Sequence, residues 1–93
     1  MSKLKWDNIT ADDLFNAILA LKNLNETKQF FRDLLTAPEI IEFSNRWWAA
    51  QMLDAKIPYV SIQKETGLSS RTISRIAKWL NQGKGGYKLM IKR

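Results

Sequence analysis

The sequence predicts an all-α protein of about five helices, and three observations support this fold class. Apolar residues recur at helical spacing along most of the 93 residues. Alternation of apolar and polar residues is nowhere long enough for a strand. Only two prolines interrupt the chain, and its four glycines are Gly67 and three that follow Gln82. Helix breakers are therefore confined to a few sites, which become the expected helix boundaries.

Capping residues place the first three helices. Thr10 starts a capping box for the first helix, and Asn25 can cap the second. Thr36 gives the clearest start signal, because a proline suited to a first turn and a glutamate that completes the box follow it. The expected helices are Ala11–Leu21, Glu26–Leu35 and Ala37–Ala55.

The third predicted helix is apolar over a wider arc than one buried face requires. One side carries Ile40, Phe43, Trp47 and Ala50, and a second side, about 100° away, carries Ile41, Trp48 and Met52. A chain of this length buries only roughly 60–65% of the surface that its unfolded form exposes. The second apolar side is therefore expected to face another copy of the chain, which predicts a homodimer.

A helix-turn-helix is predicted around Gly67. A helix opened by Pro58 runs over residues 58–66, and the glycine suits the left-handed conformation that ends it. Ser69 or Ser70 caps the next helix, which continues to about Gln82 and is closed by a glycine. Four apolar residues at matching distances from the turn lock the two helices together: Ile62, Leu68, Ile73 and Ile76.

The outward face of the second of these helices carries side chains suited to duplex DNA. Arginine can bond guanine bidentately, serine and threonine reach bases or phosphates, and lysine neutralises phosphate charge. The predicted DNA-binding residues are Lys64, Ser69, Ser70, Arg71, Thr72, Ser74, Arg75, Lys78 and Lys84. The leading candidates for base contacts are Arg71 and Arg75.

Charge is distributed unevenly along the chain. Residues 1–55 carry six basic and eight acidic side chains, a net charge of −2. Residues 56–93 carry nine basic side chains and one acidic, a net charge of +8. Such asymmetry is expected of a chain that contacts nucleic acid with one half. A basic face that is merely well solvated is the alternative reading of the charge alone.

Several classes of function are disfavoured by composition. The sequence has no cysteine and no histidine, which removes disulfides, the usual zinc ligands and the Ser-His and Cys-His nucleophile systems. GKGG after Gln82 lacks the spacing of a phosphate loop, and Asp12 and Asp13 fit a helix start better than a catalytic pair. We therefore expect neither an enzyme nor a metal protein.

Location and domain organisation follow from similar arguments. The sequence has no apolar run of about 20 residues, which a membrane span requires, and MSKLKWDNIT has no secretion signal. We therefore expect a cytoplasmic protein that is associated with the nucleoid when it is bound to DNA. We expect one domain over residues 1–93, with oligomerisation helices at 10–55, the helix-turn-helix at 58–82 and a basic, flexible, irregular tail at 83–93.

Two runs carry a resemblance to a known family: SIQKETGLSSRTISRIAKWLNQGKGGY and FFRDLLTAPEIIEFSNRW. They resemble the tryptophan repressor superfamily and, within it, the YerC/YecD family of tryptophan-repressor-like proteins, over about Leu14–Tyr87. The resemblance implies an intertwined all-α homodimer that presents two recognition helices to a palindromic operator as a bacterial transcriptional repressor. The alternative function is a helical adaptor that binds a protein partner through exposed aromatic side chains.

The resemblance also raises the question of a co-repressor. In the family, two arginines sandwich L-tryptophan, and Arg46 and Arg75 match them, while Thr36 matches a threonine at the pocket edge. Trp79, however, stands where the family has a small serine. We therefore expect the chain's own aromatic side chains to fill the pocket, so that no tryptophan co-repressor and no other cofactor is needed. If Trp79 points instead into the core or the dimer interface, the pocket stays open.

Overall fold

The computed structural model describes residues 5–93, and this part of the chain is helical in six segments. They are α1 (Ile9–Leu19), α2 (Leu24–Leu34), α3 (Ala37–Asp54), α4 (Tyr59–Thr66), α5 (Ser70–Gln82) and α6 (Gly86–Lys92). No strand occurs between residues 5 and 93, so the predicted all-α class is confirmed. Residues 1–4, part of the stretch in which no secretion signal is seen, lie outside the described range.

The first two helices begin two residues earlier than predicted, because each is capped by an asparagine that lies two residues before the predicted cap. Asn8 Oδ1 accepts a hydrogen bond from the N–H of Ala11 at 2.9 Å, and Asn23 Oδ1 accepts one from the N–H of Glu26 at 2.8 Å. Thr10 and Asn25, the predicted caps, lie inside the helices. Asparagine at the N-cap satisfies an amide that has no partner within the helix.

The next three helices lie where they were predicted. α3 begins at Ala37 and ends one residue before the expected end. α4 follows Pro58 and stops before Gly67, whose φ of 74° is left-handed as expected. α5 is capped by Ser69, whose Oγ accepts from the N–H of Thr72 at 3.1 Å. The two helices on either side of Gly67 are thus Tyr59–Thr66 and Ser70–Gln82.

The prediction for the chain after α5 was wrong. An irregular tail was expected from residue 83 to the end, but residues 86–92 form α6. This helix contacts α3 and α5. The side chain of Tyr87, in the first turn of α6, is half-buried and packs against the core. The helix is therefore held by tertiary contacts that are invisible in its own seven residues.

The chain divides into two compact units, with the boundary between Thr36 and Ala37. The second unit has a core contributed by α3, α4, the turn after α4, and α5, made of Ala49, Ala50, Met52, Ile62, Leu68, Ile73 and Ile76. The three isoleucines are fully buried. This core fixes the helix-turn-helix on α3. The expectation of a single domain over residues 1–93 stays a prediction.

The first unit has no core of its own among its described residues. Neither α1 nor α2 contains a buried residue, and Ile9 and Leu19 are more than 80% exposed. Trp6 and Phe15 meet edge to face with ring centroids 6.3 Å apart, yet both remain largely exposed. In α3, Ile41 is also exposed. Large apolar side chains of these helices thus remain exposed in a single copy, and exposed apolar patches commonly mark interaction surfaces.

Candidate nucleic-acid interface

The turn between α4 and α5 is fixed by backbone and side-chain hydrogen bonds. The N–H of Gly67 donates to the carbonyl of Gln63 at 2.9 Å. The buried hydroxyl of Thr66 donates to the carbonyl of Ile62 at 2.7 Å and accepts from the N–H of Leu68 at 3.2 Å. A buried side chain with both donor and acceptor satisfied resists reorientation, so the direction of α5 relative to α4 is well defined.

Two of the predicted DNA-binding hydroxyls are engaged at the start of α5. Ser69 Oγ donates to Thr72 Oγ1 at 3.0 Å and accepts from the N–H of Thr72 at 3.1 Å. Their first role is therefore to cap the helix, and a DNA contact can use the hydroxyl hydrogen of Thr72 and the remaining lone pairs. Ser70, one residue further on, is exposed at the helix start.

The exposed face of α5 carries most of the predicted contact residues. Ser70, Arg71, Ser74, Arg75 and Lys78 are all exposed, and the spacing of the last four places them in one stripe. The opposite face holds Ile73, Ile76 and Leu80, all buried. In the part of the chain that the structure describes, an ion pair joins Arg46 to Glu42, and no carboxylate pairs with Arg71, Arg75 or Lys78. This "basic stripe" of Arg71, Ser74, Arg75 and Lys78 is free to meet an anion.

The two predicted lysines outside α5 lie in different places. Lys64 is exposed on the last turn of α4, near the turn that leads to α5. Lys84 is exposed beyond the other end of α5. Since 13 helical residues span about 20 Å, Lys84 lies at the far end from Ser69. The structure therefore does not bring Lys84 together with the residues at the start of α5.

Of the four residues matched to the tryptophan pocket, Thr36 belongs to the first unit, and Arg46, Arg75 and Trp79 belong to the second. Arg46 Nε donates to Glu42 Oε2 at 3.1 Å, and its guanidinium lies 5.9 Å from the ring centre of Phe43. Arg75 is exposed in the basic stripe, and Trp79 is 45% exposed beside it. Thr36 is the last residue of the first unit. Arg46 thus already has an anionic partner.

An aromatic groove that the sequence analysis missed lies between α3, α5 and α6. It has a volume of about 780 Å³ and is lined by Trp47, Trp79, Gln82, Gly83, Lys84, Gly86, Tyr87 and Met90. The rings of Trp47 and Tyr87 stack with centroids 6.4 Å apart and planes 15° from parallel. Burial raises the pKa of the Tyr87 phenol above its usual value, and the charge of Arg46 opposes this. In the sequence, the available signal for this groove was an aromatic residue, Tyr87, four residues after Gly83.

Acidic side chains are placed in ways that do not suggest metal binding. Between residues 5 and 93, no three carboxylates lie close enough together to hold a metal ion. Asp12, Glu26 and Glu39 lie instead in first turns of helices, where the helix dipole favours negative charge. In the same range, no helix combines the length and the apolar character needed to cross a bilayer.

Comparisons with known proteins all point to one family. The family model described as Trp repressor protein matches residues 10–93. The uncharacterized protein YerC of Bacillus subtilis is 44% identical over 82 residues, which cover 88% of this chain and 79% of YerC. A TrpR-like protein from Eubacterium eligens superposes with a TM-score of 0.90 at 40% identity, covering 95% of this chain and 91% of the other. A structure from Staphylococcus aureus that is provisionally described as a Trp repressor superposes with a TM-score of 0.89 at 36% identity. The match covers 98% of this chain and 94% of the other.

Proposed function

Because the chain belongs to the Trp repressor protein family, we propose that it is a sequence-specific DNA-binding regulator that represses transcription. The observation that carries this proposal is the basic stripe on α5, exposed and without carboxylate partners among the described residues. Arg71 and Arg75 contact base edges in the major groove, while Lys64 and Lys78 contact phosphates. The N–H groups at the start of α5 add a further phosphate contact.

The regulator acts as an intertwined homodimer on a palindromic operator. The lack of any buried residue in α1 and α2 supports this, since a second copy can cover their apolar faces. Ile41 and Trp48 of α3 are exposed and support it as well, whereas Met52, which was expected on the same side, lies in the core of the chain itself. In such a dimer the two copies of α5 lie about 34–36 Å apart, one turn of duplex DNA.

Selection of bound duplexes from a random pool tests the proposal directly. We expect enrichment of a palindrome whose half-sites are one helical turn apart, because two copies of α5 read the same groove pattern. Affinity for the enriched duplex should exceed that for a scrambled duplex of the same composition. No enrichment over the scrambled control at physiological salt would contradict the proposal.

A helical adaptor is the second candidate, favoured by the aromatic groove and by Trp48, which is 43% exposed. An adaptor leaves the net charge of +8 on residues 56–93 without a role. Binding to random duplex DNA at two salt concentrations separates the two candidates. A DNA-binding protein loses affinity steeply with salt because counterions are released from the phosphates, whereas an adaptor shows no binding at either concentration.

We propose that repression needs no tryptophan co-repressor. The ion pair of Arg46 with Glu42 and the bulk of Trp79, where the family has a serine, support this. Calorimetric titration with L-tryptophan is expected to give no heat at millimolar concentration. Trp79→Ser restores the family's small residue and is the matched variant, since heat gained only there would identify the bulk of Trp79 as the cause. Micromolar binding to the unmodified chain that also tightens operator affinity would refute the proposal.

A further inference from the structure

Tyr87 connects α6 to the two helices that carry and position the basic stripe. Its ring stacks on Trp47 of α3, with centroids 6.4 Å apart and planes 15° from parallel. The same side chain packs against the core cluster to which α5 contributes Ile73 and Ile76. One ring therefore touches α3 and the core that α5 shares with it.

The turn before α6 returns the chain to this position. Gly83 lies so close to the carbonyl of Trp79 that a Cβ at residue 83 would collide with that backbone oxygen. Gly83 thus ends α5 as its C-cap, and its N–H donates to the same carbonyl at 2.8 Å. Because α6 has only seven residues, its own hydrogen bonds cannot keep it folded, and its place depends on packing. Tyr87 is its half-buried aromatic contact.

We propose that Tyr87 is a positioning residue that acts as an internal substitute for a small-molecule effector. Stacked on Trp47, its ring holds the C-terminal end of α5 against α3, so that the basic stripe is presented in one orientation without an added ligand. This inference rests on the proposed function of α5 in DNA binding.

The chemistry of the contact suits a permanent rather than a switched connection. Burial raises the pKa of Tyr87, so the phenol is uncharged near neutral pH. Arg46 lowers that pKa, and its guanidinium is itself paired with Glu42 on the same helix. Lys84 also lines the groove, and Lys88 and Lys92 lie on the same helix as Tyr87. No histidine is present to change charge between pH 5 and 8.

The test compares Tyr87→Ala with Tyr87→Phe in two measurements: affinity for the selected operator, and hydrogen exchange of the α5 amides. Tyr87→Phe keeps the ring and is expected to behave as the unmodified chain. Tyr87→Ala is expected to bind about tenfold more weakly, as loss of a stacked pair and its buried surface implies, with faster exchange along α5. Met90→Ala, at another residue of the same groove, is the matched control and should change neither measurement.

Chemical rescue separates positioning from a merely structural role. The alanine variant leaves a ring-sized apolar space beside Trp47, and such spaces accept small aromatic molecules. Millimolar p-cresol is expected to restore both operator affinity and slow exchange in Tyr87→Ala, but not when Trp47→Ala is also present. If Tyr87→Ala does not fold, Tyr87→Leu, which keeps apolar volume without a ring, replaces it.

Three outcomes would overturn the inference. They are unchanged affinity and exchange in Tyr87→Ala, unchanged affinity and exchange in a folded Tyr87→Leu, and a loss in Tyr87→Ala that p-cresol does not reverse. Failure of the proposed function has a different signature. In that case the unmodified chain binds no selected duplex, while hydrogen exchange in the same variants still reports whether Tyr87 restrains α5.

Discussion

Replacing both Arg71 and Arg75 by alanine is expected to lower affinity for the selected operator by about 10²- to 10⁴-fold, since each bidentate Arg–guanine contact contributes about 1–3 kcal/mol. Both side chains are exposed on one face of α5, opposite its buried isoleucines. No carboxylate among the described residues pairs with either of them. Equilibrium binding to the operator and to its scrambled control measures the loss.

Two variants identify the chemistry behind that loss. Arg71→Lys with Arg75→Lys keeps the charge but not the planar fork of donors, so specificity should fall while binding to random DNA persists. Lys78→Ala should instead weaken binding to all duplexes alike and reduce the slope of affinity against salt by about one. The assignment is wrong if the double alanine variant binds the operator with unchanged affinity.

The second large effect is expected for association of two copies. Ile41 and Trp48 lie two turns apart on α3 and are 62% and 43% exposed in a single copy. Replacing both by glutamate is expected to raise the dissociation constant of the dimer by at least about 10³-fold, because each unpaired charge buried in an interface costs several kcal/mol. Sedimentation velocity should then change from twice the mass of one chain to the mass of one chain.

Val60→Glu is the matched control for this experiment. Val60 is an apolar side chain that is 76% exposed, but it lies on α4 rather than on the uncovered side of α3. The substitution adds the same charge and should leave the sedimentation of the dimer unchanged. A folded, stable monomer of the unmodified chain at micromolar concentration would be incompatible with the proposed assembly.

The helix-turn-helix could be predicted from sequence because its signals are local and unambiguous. A glycine at position 67 suits the left-handed conformation that it adopts, and one of two adjacent serines, Ser69 or Ser70, was expected to cap α5, which Ser69 does. The buried faces of α4 and α5 also follow from their spacing around the turn. The candidate contact residues on α5 follow by elimination, since they are the polar side chains on the face that the core does not use, and their role in binding DNA stays a prediction.

The starts of α1 and α2 were misplaced because each has two candidate caps two residues apart. Asn8 competes with Thr10, and Asn23 competes with Asn25. Both residue types, asparagine and threonine, can cap a helix, so local preference alone does not choose between the candidates. The choice is made by which hydrogen bond forms, and that is known only from the structure.

The helix α6 and the aromatic groove could not be predicted for a different reason. Residues 83–86 are glycine-rich, and the seven residues that follow are too few for a periodic pattern to be recognised. The stacking of Tyr87 on Trp47 joins positions forty residues apart, which no local signal reports. For the same reason the sequence could identify Trp79 as bulky without locating the groove that it lines.

The helix contacts in the second unit bear on how fast the chain folds compared with how fast two chains associate. Contacts link α3 with α4, α4 with α5, and α5 with α6, and α3 also contacts α5 and α6. Helical domains with such short-range contacts fold in about microseconds to milliseconds. At about 1 μM, specific association of two proteins proceeds at roughly 0.1–10 per second. We therefore expect α4 and α5 of each copy to pack on α3 before two chains meet, so that the encounter of two chains is the slow step in forming the proposed dimer.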